Sequence, residues 1–239
     1  MSERLIESDN ERRTKYFKKI KSEKPFEYIV QNLENTFGEP QLKRKSDPLS
    51  MLINIILSQA TSDANSDRTF RNLKKRFTNW ENVLAADESE IADAIRLGGL
   101  ANQKAQVIKN LLRQIKEVRG TLSLKFIDKM SDDQARDFLL TFRGIGPKTV
   151  ACTLLFASHK EVFPIDTHIF RILKRMGILP EKITDMKAHR LLDELAPKGK
   201  FYSLHVNLIR LGRNVCRPRE PMCGKCPLIE YCDYGAARI

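Results

Sequence analysis

Residues 137–156 read DFLLTFRGIGPKTVACTLLF, and the fold turns on how that stretch is parsed. Apolar residues spaced three and four apart run to Phe142 and resume at Val150, so the pattern predicts two helices with a tight turn between them. Gly144 and Gly146 supply the left-handed or closely approached backbone that such a turn requires. Pro147 suits the first turn of the second helix, where no amide donor is needed. The amides of the turn and of the helix start can face a phosphate. The glycines by themselves favour an ordinary helix–turn–helix connection. Lys148 adds chemistry. Desolvation and a helix N-terminus both disfavour an ammonium, and an amine so prepared is a nucleophile able to form a Schiff base. As a plain cation Lys148 would contact a phosphate instead, and its position does not choose between the two.

The next segment, HKEVFPIDTHIFRILKRMG (159–177), bears on that choice. A helix over 149–158 rises about 15 Å. The proline-containing KEVFPID, if extended, returns roughly 20 Å. Asp166 is thereby expected back at the level of Lys148. It also precedes Thr167 and His168 at a new helix start, where an aspartate caps. The cap and a carboxylate partner for the amine are compatible roles. His168 reads as a half-buried, satisfied histidine, with a contact to the Asp166 loop or to DNA as the alternative.

Around these segments helical spacing dominates, in PFEYIVQNLENTFG, PLSMLINIILSQATS, SDRTFRNLKKRF, VIKNLLRQIKEV and SDDQARDFLLTF. No stretch alternates as a strand does, so the chain is expected to be all-α. Its 239 residues suffice for one large domain or two small ones. Trp80 and Cys152 are expected in the core. A net charge of +12 points to a polyanionic partner, nucleic acid first, although a basic surface also keeps a protein soluble. No apolar run is long enough to cross a bilayer, so no membrane partner is expected. The N-terminal MSERLIESDNERRTKYFKKIKSEK lacks a signal peptide's apolar segment and reads as a solvated helix or arm. The expectation is an intracellular, cytoplasmic protein with reduced thiols.

Four of the five cysteines lie in CRPREPMCGKCPLIEYC, where Cys216, Cys223, Cys226 and Cys232 are separated by six, two and five residues. Zinc sites use two close pairs, and here only Cys223 and Cys226 form one. Four thiolates converging from one compact coil suit a [4Fe–4S] cluster better, with zinc as the alternative. Arg217, Arg219 and Lys225 within the loop can present positive charge to DNA.

Together the FRGIGPKTV hairpin, the PIDTHIFR segment and the C-x6-C-x2-C-x5-C tail resemble, in their order, the endonuclease III family of helix-hairpin-helix DNA glycosylases. The resemblance covers roughly residues 26–235. It implies a two-domain helical fold: a six-helix barrel over 42–160, and a second domain of 1–41 with 161–239 that carries the cluster. It implies a monomer acting on double-stranded DNA that holds a damaged base or an abasic site, with Arg143, Gly144, Gly146 and Thr149 of the hairpin on the DNA backbone. Lys148 becomes the nucleophile on a flipped-out nucleotide and Asp166 its acidic partner. The expected activity is a bifunctional glycosylase and AP lyase of base excision repair, its default substrate an oxidised pyrimidine.

The helix MLINIILSQATSD resembles the family segment that fills the gap left by the flipped base, which nominates Gln59, read as a buried amide on a mostly apolar helix that needs partners. Ala60 stands where bacterial endonuclease III has its glutamine. That form looks closer to plant 5-methylcytosine glycosylases, and leaves mismatched thymine, uracil or modified cytosine open as substrates. LGGLANQKA resembles the family's wedge loop and nominates Leu100, which would otherwise be a buried leucine at a helix start. From another class, a non-catalytic iron–sulfur DNA-binding redox sensor would share the charge and the cysteines without needing Lys148 or Asp166.

Overall fold

The computed structural model describes residues 25–42 and 44–238, and among them every regular element is helical. The expected N-terminal arm, residues 1–24, lies outside the described residues. In chain order the α-helices are α1 (Phe26–Phe37), α2 (Pro48–Ser58), α3 (Asp63–Arg76), α4 (Trp80–Ala85), α5 (Glu88–Ala94), α6 (Ala101–Arg119), α7 (Asp132–Leu140), α8 (Pro147–Ser158), α9 (Thr167–Arg175), α10 (Asp185–Leu195), α11 (Phe201–Asn214) and α12 (Asp233–Ala236). Many begin where a short polar side chain can replace a missing intrahelical acceptor. Asp47 accepts from the Ser50 amide, Ser62 from Asn65, Asn79 from Asn82 and Thr184 from Lys187. Ser131 and Gln134 form a reciprocal capping box at α7. Each cap stabilises its helix by about 1 kcal/mol. No helix of the described residues is long and apolar enough to cross a membrane.

The chain divides into two compact units, one of residues 42–164, the other from the described residues of 1–41 and 165–239. The first holds α2 to α8. Its core gathers Leu52, Ile53 and Ile56 of α2 with Leu73, Ile91, Ile108, Leu112, Leu139, Val150 and Leu154 from the surrounding helices. Both α2 and α8 are apolar on several sides because each is surrounded. Trp80 and Cys152 are buried in this unit, Trp80 tilted against Phe70.

The division falls after Pro164 and not after residue 160. Lys160 is the reason: its Nζ donates to the Met130 carbonyl and pairs with Asp132, while the Glu161 amide donates to Asp132 and Val162 enters the core of the 42–164 unit. In the second unit α11 packs on α1 and on α9. Buried residues include Ile29 and Leu33 of α1, Ile169 and Ile172 of α9, and Leu204, Leu208 and Leu211 of α11. Lys200 binds both Glu34 and Glu39, and Arg210 donates to the Phe37 carbonyl, fixing α1 to α11.

Candidate active site

Helix α7 ends at Leu140, and the chain reverses between Phe142 and Ile145, both of which point into the core. Their burial pins the corner from inside. Gly144 sits at φ +87°, a region that L side chains avoid. Gly146 does not share that constraint. It is the extended N-cap of α8, at φ −98° and ψ 170°, and a Cβ there would meet nothing within 4 Å. The Arg143 amide donates to Oε1 of Gln114 on α6 at 3.0 Å. Arg143 and Gly144, with Arg113 and Asn110 of α6, line an open cleft of about 510 Å³.

Pro147 opens α8, and the first intrahelical bond is the Val150 amide to the Gly146 carbonyl at 3.0 Å. The Lys148 and Thr149 amides therefore lie at the positive end of the helix. The Lys148 side chain is exposed. The burial expected for it is absent because Thr149 and Val150, the next two residues, take the inward-facing positions. Thr149 corrects a second expectation. It is buried (5 % exposed), and its hydroxyl accepts from Gln59 Nε2 at 3.3 Å, so it anchors Gln59 and presents no hydroxyl to solvent.

Gln59 differs from the expectation too. Helix α2 stops at Ser58, and Gln59 follows it as an exposed residue rather than a buried amide on the helix face. The backbone then turns through Ala60 at φ +52° before Ser62 caps α3. Leu100 stands at φ +51° as the residue before α6 and is 58 % exposed, which removes the buried-leucine alternative.

Asp166 lies in the other unit. Its Oδ1 accepts from the Ile169 amide at 2.8 Å, so it is the N-cap of α9. The preceding Ile165 amide donates to His189 Nε2 at 3.2 Å, and His189 Nδ1 lies 2.9 Å from the Asp185 carbonyl. A carbonyl only accepts, so this ring carries its proton on Nδ1 and leaves Nε2 as the acceptor. Nothing in the sequence around His189 signalled that role. His168 is half-buried, with Nδ1 3.2 Å from Arg171 Nη2.

All four C-terminal cysteines are free thiols of intermediate exposure. Two arginines of α9, which nothing in the local sequence singles out, hold their loop. Arg171 donates to the Cys216 and Gly212 carbonyls, and Arg175 to Cys216 Sγ at 3.3 Å and to the Arg217 and Pro218 carbonyls. Among the described residues no three His, Cys, Asp or Glu side chains are grouped closely enough to hold a metal ion. The thiols nevertheless act on one another. Burial, then the charges of Cys216, Cys232 and Cys223, push Cys226 up to about 11, against an opposing Leu228 amide. Burial also raises Cys232, with the Gly235 amide donating to its sulfur. Thiols on one loop whose charged forms would repel one another, with amides directed at two of the sulfurs, are a donor set that a cationic iron–sulfur or zinc centre would satisfy.

Compared with solved structures, the fold is that of an endonuclease III bound non-covalently to DNA, at a TM-score of 0.75 and 24 % identity over 90 % of this chain and 97 % of that one. The chain belongs to the HhH-GPD superfamily of base excision DNA repair proteins, whose sequence profile matches residues 53–198. It is 35 % identical to the endonuclease III of Sulfolobus acidocaldarius over 181 residues, 75 % of this chain and 78 % of that one. It is 37 % identical over 194 residues to an Arabidopsis thaliana protein named as a DNA glycosylase, 77 % of this chain, and the match spans 66 % of that protein's length.

Proposed function

We propose that the protein is a DNA glycosylase with AP lyase activity, and that Lys148 is its nucleophile. The observation that carries this is the exposed lysine at the second position of α8, directly after the glycine corner. The residue beside it, Thr149, holds Gln59, so the group assigned to the vacated base position and the group assigned to the sugar share one helix start. The superfamily and the fold support DNA as the partner.

The damaged nucleotide leaves the stack before reaction. Lys148 Nζ, having lost a proton, attacks C1′. The glycosidic bond breaks, and the base departs with the bonding electrons and takes up a proton. The nitrogen loses a second proton, the C1′–O4′ bond opens with its electrons to O4′, and O4′ takes the remaining N–H proton, which leaves an imine between Lys148 and C1′. Removal of a proton from C2′ then expels the 3′ phosphate, and water releases the lysine. Asp166 is assigned the carboxylate that stabilises positive charge on the sugar, a role compatible with its capping of α9. An oxidised pyrimidine is the proposed substrate.

Cys216, Cys223, Cys226 and Cys232 are the residues that would hold a [4Fe–4S] cluster. Such a centre would supply neutralising charge, a cross-link within residues 216–232 and a redox couple.

Sodium borohydride reduces an imine to a stable amine. An abasic duplex treated with protein and borohydride should yield a covalent adduct, and Lys148→Gln should abolish it. An adduct that persists undiminished in Lys148→Gln removes the lysine from the reaction. Duplex binding with no adduct and no strand cleavage by the unaltered protein favours the non-catalytic sensor.

A further inference from the structure

Lys104 lies in the first turn of α6 and is 4 % exposed, an unusual burial for a lysine that pairs with no acid among the described residues. Its Nζ donates to two carbonyls, Leu57 and Gly98, at 2.8 Å each. Each carbonyl lies two residues before an exposed side chain outside the body of a helix. Leu57 precedes Gln59 at the end of α2, and Gly98 precedes Leu100 at the start of α6. Both corners turn through a non-glycine residue in the left-handed region, Ala60 at +52° and Leu100 at +51°. Such conformations persist only where the surroundings over-determine them. The Gly98 corner is packed tightly as well: a Cβ there would come within 3.1 Å of Thr69 Cγ2 and Oγ1 on α3. From the other side Gln59 is tied to Thr149 at the start of α8, beside Lys148.

We propose that Lys104 is a positioning residue for lesion recognition: by holding the Leu57 and Gly98 carbonyls on one nitrogen, it makes Gln59 and Leu100 a single rigid probe that enters the duplex together. This rests on the reading of the chain as a DNA glycosylase. A methionine would fill the same space without desolvating a charge. What the lysine adds is orientation: two donors at one point, where the negative end of α2 and the Gly98 corner meet. The nitrogen reaches no substrate atom and acts only through the corners it joins.

The test uses a duplex with a tetrahydrofuran abasic analogue opposite 2-aminopurine, whose fluorescence rises when it unstacks. The unaltered protein should give a rise on binding. Lys104→Met should lower the rate of that rise about tenfold or more. Affinity for undamaged duplex, set by phosphate contacts, should stay within about twofold. Lys104→Arg, which keeps the donors, should recover part of the signal. If the probe is a unit, the Lys104→Met, Leu100→Ala double variant should be no slower than Leu100→Ala alone. A merely structural lysine predicts additive losses that track the melting temperature. Should Lys104→Met fail to fold, Lys104→Gln, which can still donate, takes its place with an intermediate rate expected. A wild-type rate from the folded variant, additive losses in the double variant, or no fluorescence rise from the unaltered protein overturns the proposal. A normal rise without abasic strand cleavage sinks the lyase assignment and leaves this one standing.

Discussion

Replacing the two hairpin glycines one at a time separates a backbone requirement from a requirement for open space. At Gly144 the backbone is at φ +87°, and a Cβ would meet Val107 Cγ1 at 3.5 Å, an ordinary contact. The space is adequate, so the cost of Gly144→Ala is conformational. Holding an L residue in the left-handed region costs roughly 1–2 kcal/mol. The stiffer unfolded chain returns roughly 0.4–1 kcal/mol of that. The net destabilisation is about 1 kcal/mol, or about 2–4 °C in a chain of this size. Gly146 has ordinary extended φ and ψ and nothing within 4 Å of a Cβ. There the same unfolded-state gain is offset by alanine's poorer performance at an N-cap, so Gly146→Ala should melt with the unaltered protein. Only an approaching phosphate backbone would feel the added methyl, so duplex affinity should fall while stability holds. Thermal melts and fluorescence-anisotropy titrations read the two quantities separately. Equal melting losses at the two positions, or none at Gly144, would refute the assignment of the strain to the first glycine.

Asp166→Ala should cost about 1 kcal/mol in urea unfolding, while Asp166→Ser keeps the cap and the stability; excision of a base should fail in both, and activity in the serine variant would limit Asp166 to capping. Burial lowers the Lys104 pKa from 10.5, so between that lowered value and 10.5 the unfolded chain binds a proton the folded chain lacks. This group's stability contribution is thus full above 10.5 and lost as pH falls through the folded value, and the pH slope of unfolding should be shallower in Lys104→Met across that window. Cys226→Ser should remove the broad visible absorption expected of the isolated protein, whereas Cys152→Ser, in the apolar core, should keep it; a colourless unaltered protein favours zinc. Leu100→Ala should slow single-turnover borohydride trapping about tenfold or more, with little change in affinity for undamaged duplex, and a parallel loss of both would refute the wedge assignment.

The hairpin was legible because proline fixes φ and glycine admits the left-handed region wherever they occur, whatever packs around them. The N-cap at Asp166 was legible for the same local reason. What escaped was set by distant partners. Lys104 reads in ANQKAQVIKN as one more cation on an amphipathic helix, and its burial depends on a carbonyl 47 residues away. Gln59 reads as helical because the apolar spacing of PLSMLINIILSQATS runs up to it. The helix stops there because Ser62 caps the next one and Ala60 takes the turn at positive φ. His189, Arg171 and Arg175 are ordinary helix residues in sequence, and only folding shows that they bind Ile165, Cys216 and the loop after it.

The exposure of Lys148 narrows where its reactivity can originate. Of the two influences argued from sequence, the positive end of α8 is present and burial is not. On the proposed reading the dry surroundings that favour an amine over an ammonium must then arrive with the DNA, as the flipped nucleotide covers the start of α8. The side chains that seat the nucleotide would therefore govern chemistry as well as recognition. Gln59 reaches Thr149, one residue from Lys148, and Lys104 fixes the carbonyl two residues before Gln59. A loosened probe would leave water over Lys148 even when the duplex is bound, so defects at Lys104 and Leu100 belong in the rate of imine formation before they appear in affinity.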